Sequence, residues 1–359
     1  MEYKPYLPIL KWRLGEYQAL SRLHPSIKSS IYPLFVVPPI EYDFETSSPK
    51  KTAEEHIKPL VKRLEEKWGE GPASIELHET LHSELMDSGV SVPEHVFNKL
   101  LSSSTNIQPV LRLNFDSTYI SNLIGYCKNK KCGTTIRIKF EDLADSDLMN
   151  GLEDLIHDNK LDRAKIDLVI DFDSKCEYIP YTRIETLTNM LISNIGSFNT
   201  YRSIYLAGTT LDFSSVSKDT LVTQPREYWK FYKRFYIENC DSIPNLGYGD
   251  FAIEPPEFAP SLDMRVIKPA ARIIYSIDEY WAISKGSAFR DNPAQMYDMC
   301  HDFVYKSGYY MSKSLSNGDM KIYECANKKC SNGSLTTWKE AGTSHHISFV
   351  VQQLATFHD

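Results

Sequence analysis

No run of about 18 apolar residues occurs anywhere in the sequence, so a membrane-spanning helix is not expected. The first residues, MEYKPYLPILKWRLGE, lack a basic stretch followed by an apolar core, so secretion is not expected either. Cysteine is scarce and odd in number, seven spread thinly over 359 residues, which is unlike the disulfide framework of a small secreted domain. Reduced thiols in a cytoplasm are the expectation. Positive charge is also in deficit: 40 Lys and Arg against 47 Asp and Glu exclude a general charge-driven grip on nucleic acid, leaving only a local basic groove. There is no Gly-rich phosphate loop, Gly15 standing alone after the first apolar run, and no G-x-S-x-G elbow or kinase signature set. Low-complexity tracts and solenoid repeats are missing too, so the whole chain is expected to fold.

What is present is alternation. Short β-branched or aromatic runs recur at Tyr6–Lys11, Ile31–Val37, Ala73–Leu77, Ile107–Leu113, Thr134–Phe140, Ile166–Phe172, Arg202–Gly208 and Tyr248–Ile253. Amphipathic segments separate them, and in Thr52–Trp68 the side chains of Ile57, Leu60, Val61 and Leu64 share one face. Runs such as IYPLFVV and DLVIDF are apolar throughout, as in a parallel sheet covered on both faces. Eight such βα units predict a (β/α)8 TIM-barrel-like domain over residues 1–255; an open doubly wound sheet would carry the missing Gly-rich turn. Beyond Pro255-Pro256 the character changes to a hairpin, ARIIYS then WAISKG, a helix from about Asn292 to Tyr305, strand-like KIYECA and a helix-like Ile347–Phe357. Residues 256–359 are therefore expected to form a smaller α+β module packed on the barrel.

In a barrel of this kind the C-terminal strand ends face the site, and here they are polar. Lys11 closes the first run, Glu76 and His78 the third, Arg112 the fourth, Arg137 and Lys139 the fifth, Asp171 and Asp173 the sixth, and Asp250 the eighth. Carboxylates facing guanidinium and ammonium groups suit binding a phosphate ester and moving a proton, with or without a divalent metal. Asp171, Asp173 and Asp250 are the candidate metal ligands. Asp171, Asp250, Glu76 and His346 are the candidate catalytic groups, and Lys11, Arg112, Arg137, Arg226, Arg272 and His345 the candidate substrate contacts. The bland reading is a set of ion pairs filling the barrel mouth.

Other patterns compete. His78-Glu79-Thr80-Leu81-His82 matches H-E-x-x-H, which on a helix would set two imidazoles on one face for zinc with Glu as base; it follows a strand and has no third ligand in a familiar spacing. Cys127 with Cys132, and Cys325 with Cys330, form two C-x4-C pairs that a shared zinc would join, with free thiols as the default. His345-His346 would point to opposite faces in a strand, so that only one of them enters a given site; a plain helix-start or packing role is the equal alternative. Ser316-Asn317-Gly318-Asp319 has the form of a tight Asn-Gly turn.

Five ordered motifs, PILKWRLGEYQAL, TQPREYW, GYGDFAI, ARIIYS with WAISKG, and WKEAGTSHHISFV, resemble the bacteriophage "beta protein" family, which is not the single-strand annealing recombinase. The resemblance spans nearly the whole chain. It places motif positions on Lys11, Glu16, Arg226, Glu227, Gly249, Asp250, Arg272, Trp281, Gly286, Trp338, His345 and His346, with Lys285 standing where an arginine is expected. It implies no H-E-x-x-H at Glu76 and its neighbours, and a setting of phage and host conflict. The expectation is therefore an antiviral-defence or phage-encoded protein handling a nucleotide or nucleic acid at the barrel mouth, as a metal-dependent phosphodiesterase or nuclease-like hydrolase. The C-terminal module, with Trp338, His345 and His346, is expected to complete or cover that site. The alternatives are a non-catalytic adaptor sensing a phage or host protein, and a zinc metalloprotease at His78, Glu79 and His82.

Overall fold

The computed structural model describes residues 4–243, 245–258 and 267–358. Among these, strands of four residues or more are β1 (Tyr6–Lys11), β2 (Leu34–Val37), β3 (Pro72–Leu77), β4 (Asn106–Leu111), β5 (Thr135–Lys139), β6 (Asp167–Asp171), β7 (Ser203–Ala207), β8 (Thr220–Pro225), β9 (Leu246–Asp250), β10 (Ala270–Ile277) and β11 (Tyr280–Ala288). Eight of them close into a barrel in the order β1-β9-β7-β6-β5-β4-β3-β2. Every pairing in it is parallel. Parallel neighbours need a crossover, and helices such as Val92–Leu101, Ser117–Lys130, Ser146–Asp158, Tyr181–Ile192 and Glu227–Asn239 supply it. This is the (β/α)8 architecture that the alternation predicts.

Local chemistry sets the helix ends. Thr52 caps the helix Ala53–Ile57 in a capping box with Glu55. The segment Thr52–Trp68, expected as one helix, is two, Ala53–Ile57 and Leu60–Lys67. Pro59 lies at the break, where its ring lacks an N–H and disfavours a continuous helix.

The chain divides into two compact units, and the division is not a single cut after residue 255. The barrel unit comprises Met1–Lys11, Ile31–Thr209 and Glu227–Phe251; the second unit gathers Trp12–Ser30, Thr210–Arg226 and Ala252–Asp359. In the second unit β8 pairs antiparallel with β11, and β11 with β10. The expected hairpin thus gains a third strand that precedes it by some distance in sequence. Its core holds Ile273, Tyr275, Met296, Phe303, Ile322 and Trp338. Two expectations fail here. KIYECA is helical, within Asn317–Ala326, and the last helix runs Leu335–His358, so that His345-His346 lie inside a helix. Ser316-Asn317-Gly318-Asp319 is a helix start, the Ser316 hydroxyl accepting the Asp319 N–H at 3.1 Å.

Candidate functional site

Alternation along the barrel strands stacks two polar layers. Ser74 on β3 and Thr135 on β5 point inward, and their hydroxyls lie 2.5 Å apart, with Ser74 2.7 Å from the Tyr32 hydroxyl and the Gln108 amide donating to Tyr32 at 3.1 Å. Two residues further along the same strands, on the same face, come Glu76 and Arg137. The four lower side chains are neutral and the upper pair is charged.

The upper layer is a chain of ion pairs. Arg112, just beyond β4, donates Nη2 to Glu76 Oε1 at 2.7 Å. Arg137 donates Nη1 to Glu76 Oε2 at 2.9 Å, and Nε and Nη2 to Asp171 Oδ2 at 2.9 and 2.7 Å. Asp171 Oδ1 in turn accepts the Asp173 backbone N–H at 2.9 Å. The Arg137 guanidinium lies 5.5 Å from the Phe251 ring centroid. Burial pushes the Glu76 carboxyl upward, but the two guanidinium groups outweigh it and hold its pKa below 4.5. The same carboxylates raise Arg137 above its ordinary value against the opposing effect of burial. Asp250, at the end of β9, accepts the Tyr6 hydroxyl at 2.8 Å. Lys11 ends β1 and is buried.

Four of the rim residues expected from sequence, Glu76, Arg112, Arg137 and Asp171, are thus brought into one contact chain. Their roles divide. All three guanidinium nitrogens of Arg137 are engaged, which makes it a brace for the two carboxylates. Arg112 differs: its side chain is 22% exposed and its buried Nε has no hydrogen-bond partner.

Asp171, Asp173 and Asp250 do not assemble as metal ligands. Among the described residues no group of three or more His, Cys, Asp or Glu side chains could hold an ion. Asp173 Oδ1 instead accepts the Ser174 backbone N–H at 2.6 Å. That observation also removes the shared zinc of the two C-x4-C pairs; all seven cysteines are free thiols. The H-E-x-x-H geometry fails as well. Glu79–Leu81 is a single 3-10 turn with His78 as its cap, His78 Nδ1 accepting the Thr80 N–H at 3.3 Å. His82 Nε2 faces the Leu77 carbonyl at 3.1 Å, so that nitrogen carries a proton rather than a lone pair for zinc.

The remaining expected site residues, Arg226, Arg272, His345 and His346, belong to the second unit. Both histidines are fully buried. His345 stacks on Tyr275 with centroids 3.5 Å apart, its Nδ1 3.1 Å from Asp319 and its Nε2 2.9 Å from the Ser276 carbonyl. His346 stacks on Trp281 at 4.9 Å, with Nδ1 2.5 Å from the Ser276 hydroxyl. Arg226 Nη1 donates to the Asp278 carbonyl and to Gln353 Oε1, both at 2.8 Å. Arg272 lies over Phe213 at 5.0 Å, and burial lowers its pKa from the ordinary arginine value. The contacts of His345, His346 and Arg226 bind the second unit's own strands to its last helix. The packing alternative for His345-His346 is the one that holds, because a helix lets neighbouring residues insert on adjacent, not opposite, faces.

Sequence reading also missed Tyr6 and Asp319. Tyr6 meets Asp250 across 244 positions of chain, a pairing without a local signal. Asp319 was concealed by its turn-like neighbours.

A closed eight-stranded parallel barrel with a charged layer at the C-terminal strand ends defines the first unit as a (β/α)8 barrel. The family model described as "Beta protein" matches residues 6–352, and the chain belongs to that family. Among solved structures the chain is similar to triosephosphate isomerase from Bartonella henselae, at 9% identity and TM-score 0.34, over 69% of this chain and 91% of that one. A fructose-bisphosphate aldolase from Plasmodium falciparum matches at 9% identity and TM-score 0.34, over 93% of this chain and 77% of that one. The barrel assignment rests on the strand order, not on these likenesses. No curated protein matches the sequence.

Proposed function

We propose that the C-terminal rim of the barrel binds a phosphate-bearing substrate, a nucleotide or nucleic acid, with Arg112 as its principal contact and Lys11 beside it in role. The observation that supports this most is Arg112 itself. Glu76 fixes one end of the guanidinium, while Nε is buried without a partner and the side chain reaches solvent. A planar donor anchored by a carboxylate, with unused hydrogen-bonding capacity in a side chain that reaches solvent, is complementary to an incoming oxyanion. Glu76, Arg137 and Asp171 hold it in place, and Asp250, hydrogen-bonded to Tyr6, is the group assigned to proton transfer. In the phage and host setting that family resemblance implies, such a site fits a cytoplasmic phosphodiesterase or nuclease-like hydrolase of antiviral defence.

The internal neutrality of the Arg112–Glu76–Arg137–Asp171 chain favours a second reading, a binding or adaptor protein whose rim charges serve structure. Binding and turnover of a panel of nucleotides and phosphodiesters, with and without Mg2+ or Mn2+, separate the two. The enzymatic reading expects Arg112→Met to weaken binding by roughly 10- to 100-fold, the loss of one charge-assisted contact, and Asp250→Asn to abolish turnover with the thermal midpoint retained. Unchanged turnover in both variants overturns it. A stable protein partner with no turnover by the wild type establishes the adaptor.

A further inference from the structure

In the second unit the helix Asn317–Ala326 is capped by Asn327 and followed by Lys328 in the left-handed region at φ 55°. The Lys329 N–H donates to the Glu324 carbonyl at 2.8 Å and the Lys328 N–H to the Cys325 carbonyl at 3.0 Å. This pair of closing bonds is a Schellman turn, which reverses the chain and returns Cys330 to the helix end it has just left. There Lys321, on the same helix, donates Nζ to Cys330 Sγ at 3.1 Å and to the Ser331 carbonyl at 2.8 Å. Cys325 lies one turn beyond Lys321 on the same helix, its Sγ donating to the Met296 carbonyl at 3.6 Å, and Cys330 packs against the cluster that holds Cys325 and also Cys300, from the helix Gln295–Tyr305. Cys325 and Cys300 are buried and Cys330 is partly exposed. A reduced, partly exposed thiol, an ammonium against its sulfur and a second thiol in the cluster it packs on are the parts of a redox-reactive pair.

We propose that Cys330 is a reactive site for small hydroperoxides and that Cys325 resolves it to an intrachain disulfide. Cys330 Sγ attacks the terminal peroxide oxygen; the S–O bond forms as the O–O bond breaks, and the thiol proton goes to the departing oxygen, giving an alcohol or water. The Lys321 ammonium is placed to stabilise negative charge on sulfur during attack. Cys325 Sγ then attacks the Cys330 sulfenic acid; the S–S bond forms, the S–O bond breaks, and hydroxyl leaves with the Cys325 proton as water. Two thiols are oxidised by two electrons and one hydroperoxide is reduced. The proposal is independent of the barrel rim, because every group in it belongs to the second unit.

The test is treatment of the full chain with hydrogen peroxide, followed by peptide mapping without reductant. Cys240, also partly exposed and in the barrel unit, is the internal reference. The expected result is a Cys325–Cys330 linked peptide appearing while Cys240 is still unmodified. Cys325→Ser should leave Cys330 as a sulfenic acid captured by dimedone, and Cys330→Ser should abolish the link. Lys321→Met should slow Cys330 oxidation about tenfold through loss of the adjacent charge, with Lys321→Arg restoring it. If Lys321→Met does not fold, the dimedone adduct in Cys325→Ser decides. Oxidation of Cys330 no faster than Cys240, or Cys325 and Cys330 both free after Cys240 has reacted, overturns the proposal.

Discussion

Glu76 is a carboxylate held between two guanidinium groups, and its state governs what Arg112 can do. Because its folded pKa lies below 4.5, the pairing contributes stability that is fully present above that value and lost as pH falls through the folded one. Glu76→Gln should therefore lower stability at neutral pH by about 3–5 kcal/mol, the cost of leaving buried Arg137 without one of its partners. The variant should also show a flatter decline than wild type below pH 4.5, read from urea midpoints between pH 3 and 7. An equal neutral-pH midpoint and an unchanged acid slope would refute the role given to Glu76. The rim residues themselves were legible in sequence, because strand alternation and the barrel rule together point the last residues of each strand at the mouth. Which of them pair was not legible, since Glu76 and Arg137 are 61 positions apart and no local pattern relates them.

At the scale of elements, the helix Asn317–Ala326 packs so closely on Leu335–His358 that a Cβ built on Gly318 would lie 1.9 Å from the Ala341 carbonyl oxygen. Helix propensity alone favours alanine over glycine by about 1 kcal/mol. Overpacking against fixed backbone outweighs it, and Gly318→Ala should lose about 2 kcal/mol or more. Gly125, inside the helix Ser117–Lys130, is the control: a Cβ there meets nothing within 4 Å, so Gly125→Ala should gain about 1 kcal/mol. Denaturant unfolding of both variants checks the pair, and a stabilised Gly318→Ala would contradict the packing. The same helix was misread from sequence for a physical reason. KIYECA has strand-like composition, and Ser316-Asn317-Gly318-Asp319 suits a turn and a helix cap equally, so only contact with the last helix settles the outcome.

At the scale of the molecule, the two units interleave along the chain. Strand β8 has its ladder partner in β11, and the helix Leu14–Ser21 packs on Leu335–His358. A fragment ending at residue 255 would strand both. It should show reduced ellipticity, a lowered melting temperature and self-association through the unpaired β8 edge, measured by circular dichroism and gel filtration against the full chain. A monomeric fragment with the full chain's melting temperature would show that the barrel does not need these segments' partners. Among the described residues no helix is long and apolar enough to cross a membrane, in line with the sequence.

The sequence by itself determined the barrel: eight apolar runs spaced by amphipathic segments leave parallel closure as the economical way to cover both sheet faces, and period-two alternation fixed which side chains reach the rim. It also carried the family, through ordered motifs. Tertiary structure alone decided that Arg137 is a brace and Arg112 the partly exposed guanidinium, that the three aspartates form no metal group, and that His345 and His346 are buried inside a helix. Each of those outcomes depends on partners tens to hundreds of residues away, and short-range pattern carries no information about which distant side chain will satisfy a buried charge.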